Sequence, residues 1–382
     1  MTLVITSNQK TKLSLGNVNG IKGSQDWCLF LDFAKNEFVK KNTAGVRTNI
    51  TEADALVCTS NKNLATKPMT MDQFGSKSYI SATNQLRHWG ISNAFGSFFG
   101  LLIESEQTNW FLNSSAPATQ TIASIPAGST LVASCIGTGS LKISGNGINT
   151  VTVTENTPAT ITPQAIGTEV TLNVEVVGSL THAQVVRCAG FATVHTPITT
   201  TGAKPSSGFD RVEINQNLLT ELIDTNKALT VLVQSVAVNN TKDDRVQYNE
   251  NRIVLETDTL VAGLGLNKDA RGYVGNRCVS TFKSDSSNQA SAGEISNGMA
   301  LNQPITQAFF VNELGFKGCI AGGRIYEVAS AVNLNKVKRI RLAENIAAPS
   351  VMQGGNCIIT KIAIFNKTLT NTEIQEISKS WL

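Results

Sequence analysis

The sequence predicts a mainly β chain: an irregular N-terminal segment, a small central sandwich and a larger C-terminal sandwich. Three observations predict it. Thr, Asn, Ser and Gly are abundant, while charged residues are 16% and aromatic residues 6% of the 382, a mix suited to short strands joined by polar turns. Val170, Leu172, Val174 and Val176 alternate with Thr171, Asn173 and Glu175, the period of a strand with one buried face. Near the C-terminus, Ile359, Ile362 and Ile364 face one way and Ile358, Lys361, Ala363 and Phe365 the other, as in a strand covered on both sides. Thr370-x-x-Glu373 follows and opens a helix with a capping box.

Taken in order, residues 1–113 are expected to form an N-terminal assembly segment. Trp27-Cys-Leu-Phe-Leu-Asp-Phe33 is a strong apolar strand, but beyond it the apolar residues keep no period, and Asn42-Thr-Ala-Gly45 and Asn61-Lys-Asn63 are turns. Such a segment is expected to be ordered by contact with other chains. Residues 114–200 form the central sandwich, with Leu141-Lys-Ile143 and Val151-Thr-Val153 as paired strands across Ser144-Gly-Asn-Gly147. The small, polar run from Thr199 to Gly208 is the linker. Residues 201–382 form the last sandwich, where Leu218, Leu219, Leu222 and Ile223 suit a short amphipathic helix. A long buried strand follows over Ala228 to Val238. Further strands come from Phe309-Phe-Val311, Ile320, Ile325, Val337, Ile340 and Leu342. Ile374, Ile377 and Trp381 dock the terminal helix on the sheet.

Composition also excludes. A net charge of +4 over this length argues against nucleic acid or an anionic membrane as a partner. The first residues lack a basic n-region and a sustained apolar core, and no run approaches a membrane span. The seven cysteines are odd in number and widely spread, without a Cys-x-x-Cys pair, which favours buried free thiols over disulfides or zinc. No metal or cofactor is expected. None of the three histidines, His88, His182 and His195, sits in a catalytic motif.

Three stretches resemble a family of bacteriophage virion proteins found among tail fibres, tailspikes and related minor structural proteins. Gly100-Leu-Leu-Ile-Glu-Ser-Glu-Gln-Thr-Asn-Trp-Phe-Leu-Asn-Ser114 is similar to the family's Gly-Leu-Leu-Ile-Glu-x-x-x-Thr-Asn signature. Thr193-Val-His-Thr-Pro-Ile-Thr-Thr-Thr-Gly202 falls where the family joins its middle jelly roll to the next domain, although His195 replaces the usual aromatic. Residues 217–233, with Asn251-Arg-Ile-Val254 and the terminal strand and helix, resemble a concanavalin A-like (laminin G-like) domain. The implied fold is mainly β: a jelly-roll-like sandwich followed by a concanavalin A-like sandwich.

The resemblance implies a non-enzymatic structural component of a tailed-phage virion, on the tail or another surface appendage, made in the host bacterial cytoplasm. It also implies a homotrimer in contact with other virion proteins, with attachment to host cell-surface polysaccharide as its task. A capsid decoration or cement protein making only protein contacts is the alternative, and a polysaccharide depolymerase the weaker third reading. Carbohydrate would be met by exposed loops, where Asp243, Asp244 and Arg245 can bond hydroxyls and Tyr248 offers a ring. The loop at 283–296 is the second such stretch. Asp243-Asp244 lacks the alternating pattern of a calcium site. Glu104 and Glu106 are the nearest approach to the carboxylate pair of a glycosidase, but inside the signature a structural role is expected. Lys336, Lys338, Arg339 and Arg341 are the one basic cluster. They read as the charged face of a strand or sheet edge and as the candidate interface to an acidic neighbour.

Overall fold

The computed structural model describes residues 27–379 apart from 60–61, 94, 105–106, 127–129, 146, 164–168, 189–195, 205–207, 209, 224–227, 238–249, 258–259, 269–273, 276, 284–288, 294–302, 330–336 and 346–356. The chain is mainly β, as predicted, and its described sheets are antiparallel throughout.

The larger sandwich is organised around Leu229–Ala237 and Cys357–Phe365, which pair along their whole lengths. On the far side of the first lie Pro304–Asn312, Gly315–Ile320 and Tyr326–Val328; beyond the second lie Trp27–Asp32, Glu37–Lys41 and Arg47–Asn49. The facing sheet runs through Glu250–Glu256, Arg339–Asn345, Val212–Ile214 and Leu56–Cys58. Between the two sheets sits one apolar core to which Leu29, Val231, Phe309, Ile340 and Ile362 all contribute.

Cys357–Phe365 is buried on both faces, as its sequence predicts, and only Lys361 is partly exposed. A bulge opposite Gln234 and Ser235 switches its alternation at Thr360. Ile359, Ile362 and Ile364 therefore enter the inter-sheet core, while Ala363 and Phe365 face the outer layer. In that layer Ile374 and Ile377 of the helix Asn371–Lys379 pack with Phe310 and Leu369. Trp381 lies outside the described residues.

Of residues 27–103, set apart by sequence as a segment awaiting other chains, Trp27–Asp32, Glu37–Lys41, Arg47–Asn49, Leu56–Cys58, His88–Asn93 and Gly96–Ile103 join the sheets of this sandwich instead. Trp27–Asp32 pairs with Cys357–Phe365 from Asp32 and Lys361 to Trp27 and Phe365. Gly96–Ile103 takes the rest of the same edge, pairing Leu101 with Ile359 and Ile103 with Cys357. The N-terminal strands show no self-contained period because their apolar faces are completed by strands from the other end of the chain. A partition at residue 113 does not follow the strand pairing.

The smaller sandwich is local in sequence. Gln120–Pro126, Ser140–Gly145, Ile148–Val153 and Glu169–Val177 form one sheet; Thr130–Gly137, Ala159–Ile161 and Leu180–Cys188 form the other. Val170, Leu172 and Val174 are buried while Thr171, Asn173 and Glu175 are exposed, and Phe111 plugs the core from outside these strands. Five described cysteines, Cys28, Cys58, Cys135, Cys319 and Cys357, are free and buried.

Two predictions follow from close contacts. A Cβ on Gly100 would lie 2.1 Å from the Ile359 carbonyl oxygen, against backbone that cannot turn aside. Gly100→Ala is expected to destabilise the fold by about 3 kcal/mol, read by urea denaturation. At the terminal helix, the Thr370 amide donates to Glu373 Oε2 at 2.7 Å and the Glu373 amide to Thr370 Oγ1 at 3.2 Å. These bonds from the Thr370 backbone and hydroxyl hold the Glu373 carboxyl below its ordinary 4.5. Its contribution is thus fully present above that value and is lost as pH falls through the depressed one. Glu373→Gln should melt below wild type at pH 7, and the gap should close as the pH is taken below the depressed value.

Candidate functional site

The side chains singled out for carbohydrate, Asp243, Asp244, Arg245 and Tyr248, lie outside the described residues, as do Lys336, His195 and Glu106. The rest of the basic cluster is placed. Arg339 and Arg341 stand on a strand with neighbours on both sides, Glu250–Glu256 and Val212–Ile214, so this is not a sheet edge. Arg341 is ion-paired with Glu256, and Arg339 Nε lies 3.9 Å from Glu213. Much of the cluster's charge is therefore met by adjacent strands. Lys338 is exposed and its amide donates to the Glu256 carbonyl.

Glu104 joins a buried network that the sequence reading did not assemble. Arg87 donates through Nη2 to Glu104 Oε2 at 2.7 Å and through Nε to Asp210 Oδ1 at 3.1 Å, with a further, very short bond to Asp210 Oδ2. Lys62 Nζ lies 3.5 Å from Asp210 Oδ2 and donates to the Gly208 carbonyl at 3.0 Å. Thr196 adds its hydroxyl to Glu104 Oε2 at 2.7 Å. Two cations thus meet two carboxylates, with side chains only 1–7% exposed. Burial alone would lower the Arg87 pKa, but Asp210 and Glu104 outweigh it and push it up. Burial lowers that of Lys62, partly offset by Asp210. The adjoining void is about 10 Å³, at most one water's worth of space. The void is too small for a substrate, and the network ties segments distant in sequence to one another.

What it joins is informative. Beyond Glu104 the signature stretch continues to Asn109, whose side chain donates to the Ile198 carbonyl at 2.9 Å and accepts from the Phe111 and Val185 amides, each at 3.0 Å. Ser114 Oγ accepts from the Thr200 amide at 2.8 Å, and the Ser114 amide donates to Thr200 Oγ1 at 3.1 Å. Thr199 and Thr200, taken from sequence as the start of a solvated linker, are buried here. The signature and the stretch after the smaller sandwich are bonded to each other and form the joint between the two sandwiches.

An open cleft of about 440 Å³ lies elsewhere, on the larger sandwich. Its floor is Trp27, Cys28 and Leu222. One wall is the turn after Glu37–Lys41, carrying Lys41, Asn42 and Thr43; the Asn42 amide and side chain close that turn on Val46, with Gly45 at φ 82°. The other wall holds Glu221 at the end of the helix Gln216–Leu222, with Asn366 and Lys367 after the terminal strand. Asn366 Nδ2 donates to the Leu222 carbonyl at 2.7 Å, and Lys40 Nζ reaches both Glu221 oxygens at 2.9 and 2.7 Å. These bonds fix the walls. Glu221 is the one carboxylate in the lining and is ion-paired. Burial pushes the Cys28 thiol up to about 12, and it donates to the Ile364 carbonyl, so it is no nucleophile at neutral pH. Glycosidases use two facing carboxylates.

A second exposed feature is the hairpin Met69–Met71 with Lys77–Tyr79. Phe74 at its tip is 84% and Tyr79 60% exposed. Lys67 lies over the Tyr79 ring at 5.8 Å and Lys77 over Trp89 at 5.4 Å. Among the described residues, no group of three or more metal-ligating side chains gathers, and no helix is long and apolar enough to cross a membrane.

Removing the central cation of the buried network leaves two carboxylates facing each other beside one lysine. Arg87→Met is expected to destabilise the protein by about 3–5 kcal/mol, measured by denaturant unfolding. A change below about 1 kcal/mol would show the network to be dispensable.

No family model and no curated protein matches this chain. Among solved structures, the binding domain of botulinum neurotoxin DC in complex with SialylT is 14% identical, with a TM-score of 0.30, over 45% of this chain and 39% of its own. Mouse laminin alpha1 chain domains LG4-5 are 8% identical over 76% of this chain and 99% of theirs, at a TM-score of 0.25. Trypanosoma rangeli sialidase is 9% identical over 81% of this chain and 65% of its own, at 0.28. The match thus spans less than half the length of the neurotoxin domain. Likenesses of this size carry no argument about function, which rests on the chain's own residues.

Proposed function

We propose that this chain is a non-enzymatic structural component of a tailed-phage virion, on the tail or another surface appendage, with attachment to host-surface glycan as its task. The observation that carries the proposal is the joint. The stretch resembling the virion-protein signature supplies Gly100 against the terminal strand, Glu104 to the buried ion network, and Asn109 and Ser114 to the segment leaving the smaller sandwich. Positions that match the signature, Glu104 and Asn109 among them, are thus engaged in fixing one sandwich against the other, which suits a body that must transmit or resist force. The glycan part is supported by the cleft, whose fixed polar walls and apolar floor have the make-up of a small-ligand site. Capsid decoration remains the alternative reading, using the same joint for protein contacts alone.

Self-association as a trimer belongs to the same proposal and rests on the family resemblance. The lack of period before residue 95 gives it no support, since those strands pair within the chain. Mass spectrometry of purified particles, followed by electron microscopy of the intact virion, tests the whole. The chain should be present and lie on an appendage in threefold-related copies. Its absence from particles would overturn the proposal, and density confined to the capsid surface would select decoration.

A further inference from the structure

We propose that Lys62 and Asp210 condense within the folded chain to an isopeptide bond, closing the chain on itself at the root of the smaller sandwich. The inference goes beyond the virion reading and does not rest on it.

Placement of the two side chains comes from the sheet. Val212–Ile214 pairs with Leu56–Cys58, and the Thr59 amide extends that ladder to the Arg211 carbonyl at 2.9 Å. Lys62 is thereby carried alongside the segment that precedes Val212. Its Nζ donates to the Gly208 carbonyl at 3.0 Å and stands 3.5 Å from Asp210 Oδ2. That separation is longer than a good N–H···O bond and leaves the amine beside the carboxyl group without locking it there. The carboxyl group is fixed from its other sides. Arg87 donates through Nε to Oδ1 at 3.1 Å and through Nη2 to Oδ2, and the Glu104 amide donates to Oδ2 at 2.8 Å. The Asp210 amide in turn donates to the Glu104 carbonyl at 2.9 Å. An amine held next to a carboxyl group that cannot turn away has lost most of its orientational freedom before any bond forms.

Burial supplies the driving force. The Lys62 and Asp210 side chains are 2% and 3% exposed, and desolvation lowers the Lys62 pKa toward the neutral amine that is the nucleophile. One proton of the ammonium passes to Asp210 Oδ2, the oxygen that faces it. The nitrogen lone pair then adds to the carboxyl carbon, and the C–O π pair moves onto Oδ1, where Arg87 Nε meets the developing charge. A second proton passes from nitrogen to Oδ2, the Cγ–Oδ2 bond breaks and water leaves. An ammonium and a carboxylate become an amide and one water, with no other reactant. Arg87 then stays paired with Glu104, itself held by the Thr196 hydroxyl, so two buried charges and their desolvation are removed. The adjoining void of about 10 Å³ has space for at most that water, and exclusion of bulk solvent disfavours the reverse hydrolysis. Every strand of the smaller sandwich, within residues 120–188, lies inside the loop so closed. Tension applied to the chain outside that loop therefore bypasses the smaller sandwich.

The test is intact-mass spectrometry of the purified full-length chain, incubated at neutral pH and then denatured, followed by protease digestion and tandem spectrometry. The wild type should be lighter than its sequence by the mass of one water. Its digest should contain one branched peptide joining the Lys62 segment to the Asp210 segment. Lys62→Met and Asp210→Ala should each show the full sequence mass and no branched peptide. A deficit of one water that persists in Lys62→Met, or that comes without the branched peptide, would place the dehydration elsewhere, as in a cyclic imide at Asp210, and overturn the proposal. A wild type of full sequence mass would overturn it whatever the variants do, so the test does not depend on their folding. None of these outcomes touches the virion reading, which fails only if particles lack the chain.

Discussion

A guanidinium at 1% exposure persists only where its charge is met, and Arg87 is met by Glu104, 17 residues away, and Asp210, 123 residues away. Burying four charges contributes little net stability, because desolvation offsets most of their attraction. The stabilisation of this protein comes from its apolar cores. What the network supplies is discrimination, since any other seating of the strand ending at Ile103 or of the segment at Asp210 would strand a buried charge. The remaining polar ties of the joint satisfy backbone amides that packing of the two sandwiches would otherwise leave orphaned: Val185 donates to Asn109, Thr196 to the Glu104 carboxylate and Ser114 to the Thr200 hydroxyl.

The cleft obeys the opposite rule. Its charges sit at the surface, in water, where a single ion pair contributes little to stability. The protein thus carries charge in two settings, buried ion pairs at the joint and partly exposed ones at the cleft.

Sequence alone disclosed much of this fold and little of its site. The alternation from Val170 to Val176 and the two-sided strand at Ile358 to Phe365 were legible because each signal is local and periodic. Burial of Thr199 and Thr200 was not, since small polar residues look alike in a solvated linker and in a hydrogen-bonded joint. The N-terminal strands were misjudged for a related reason: their partners are at the other end of the chain, and no local period records a distant neighbour. Glu104 was rightly given a structural role, but Arg87, Lys62 and Asp210 carry no pattern that would have gathered them. The cleft is assembled from the start of one strand, two turns and one helix end, so no local pattern in the sequence gathers its residues. The flanking of Arg341 on both sides depended on Val212–Ile214 as an outer neighbour, a three-residue strand too short to leave a periodic mark.

The seam between Trp27–Asp32 and Cys357–Phe365 sets an order for biosynthesis. Cys28 and Ile364, bonded in the finished protein, are 336 residues apart. On a ribosome the first strand must wait, its apolar face uncovered, until nearly all of the described chain has emerged. The smaller sandwich has every strand within residues 120–188 and can close long before. It would then stand as a folded insert between two halves of an unfinished sheet, bringing their ends nearer by its own compactness. Premature release of the chain before residue 357 would leave not a shorter version of this protein but one folded sandwich flanked by two sheet fragments lacking the strand that joins them.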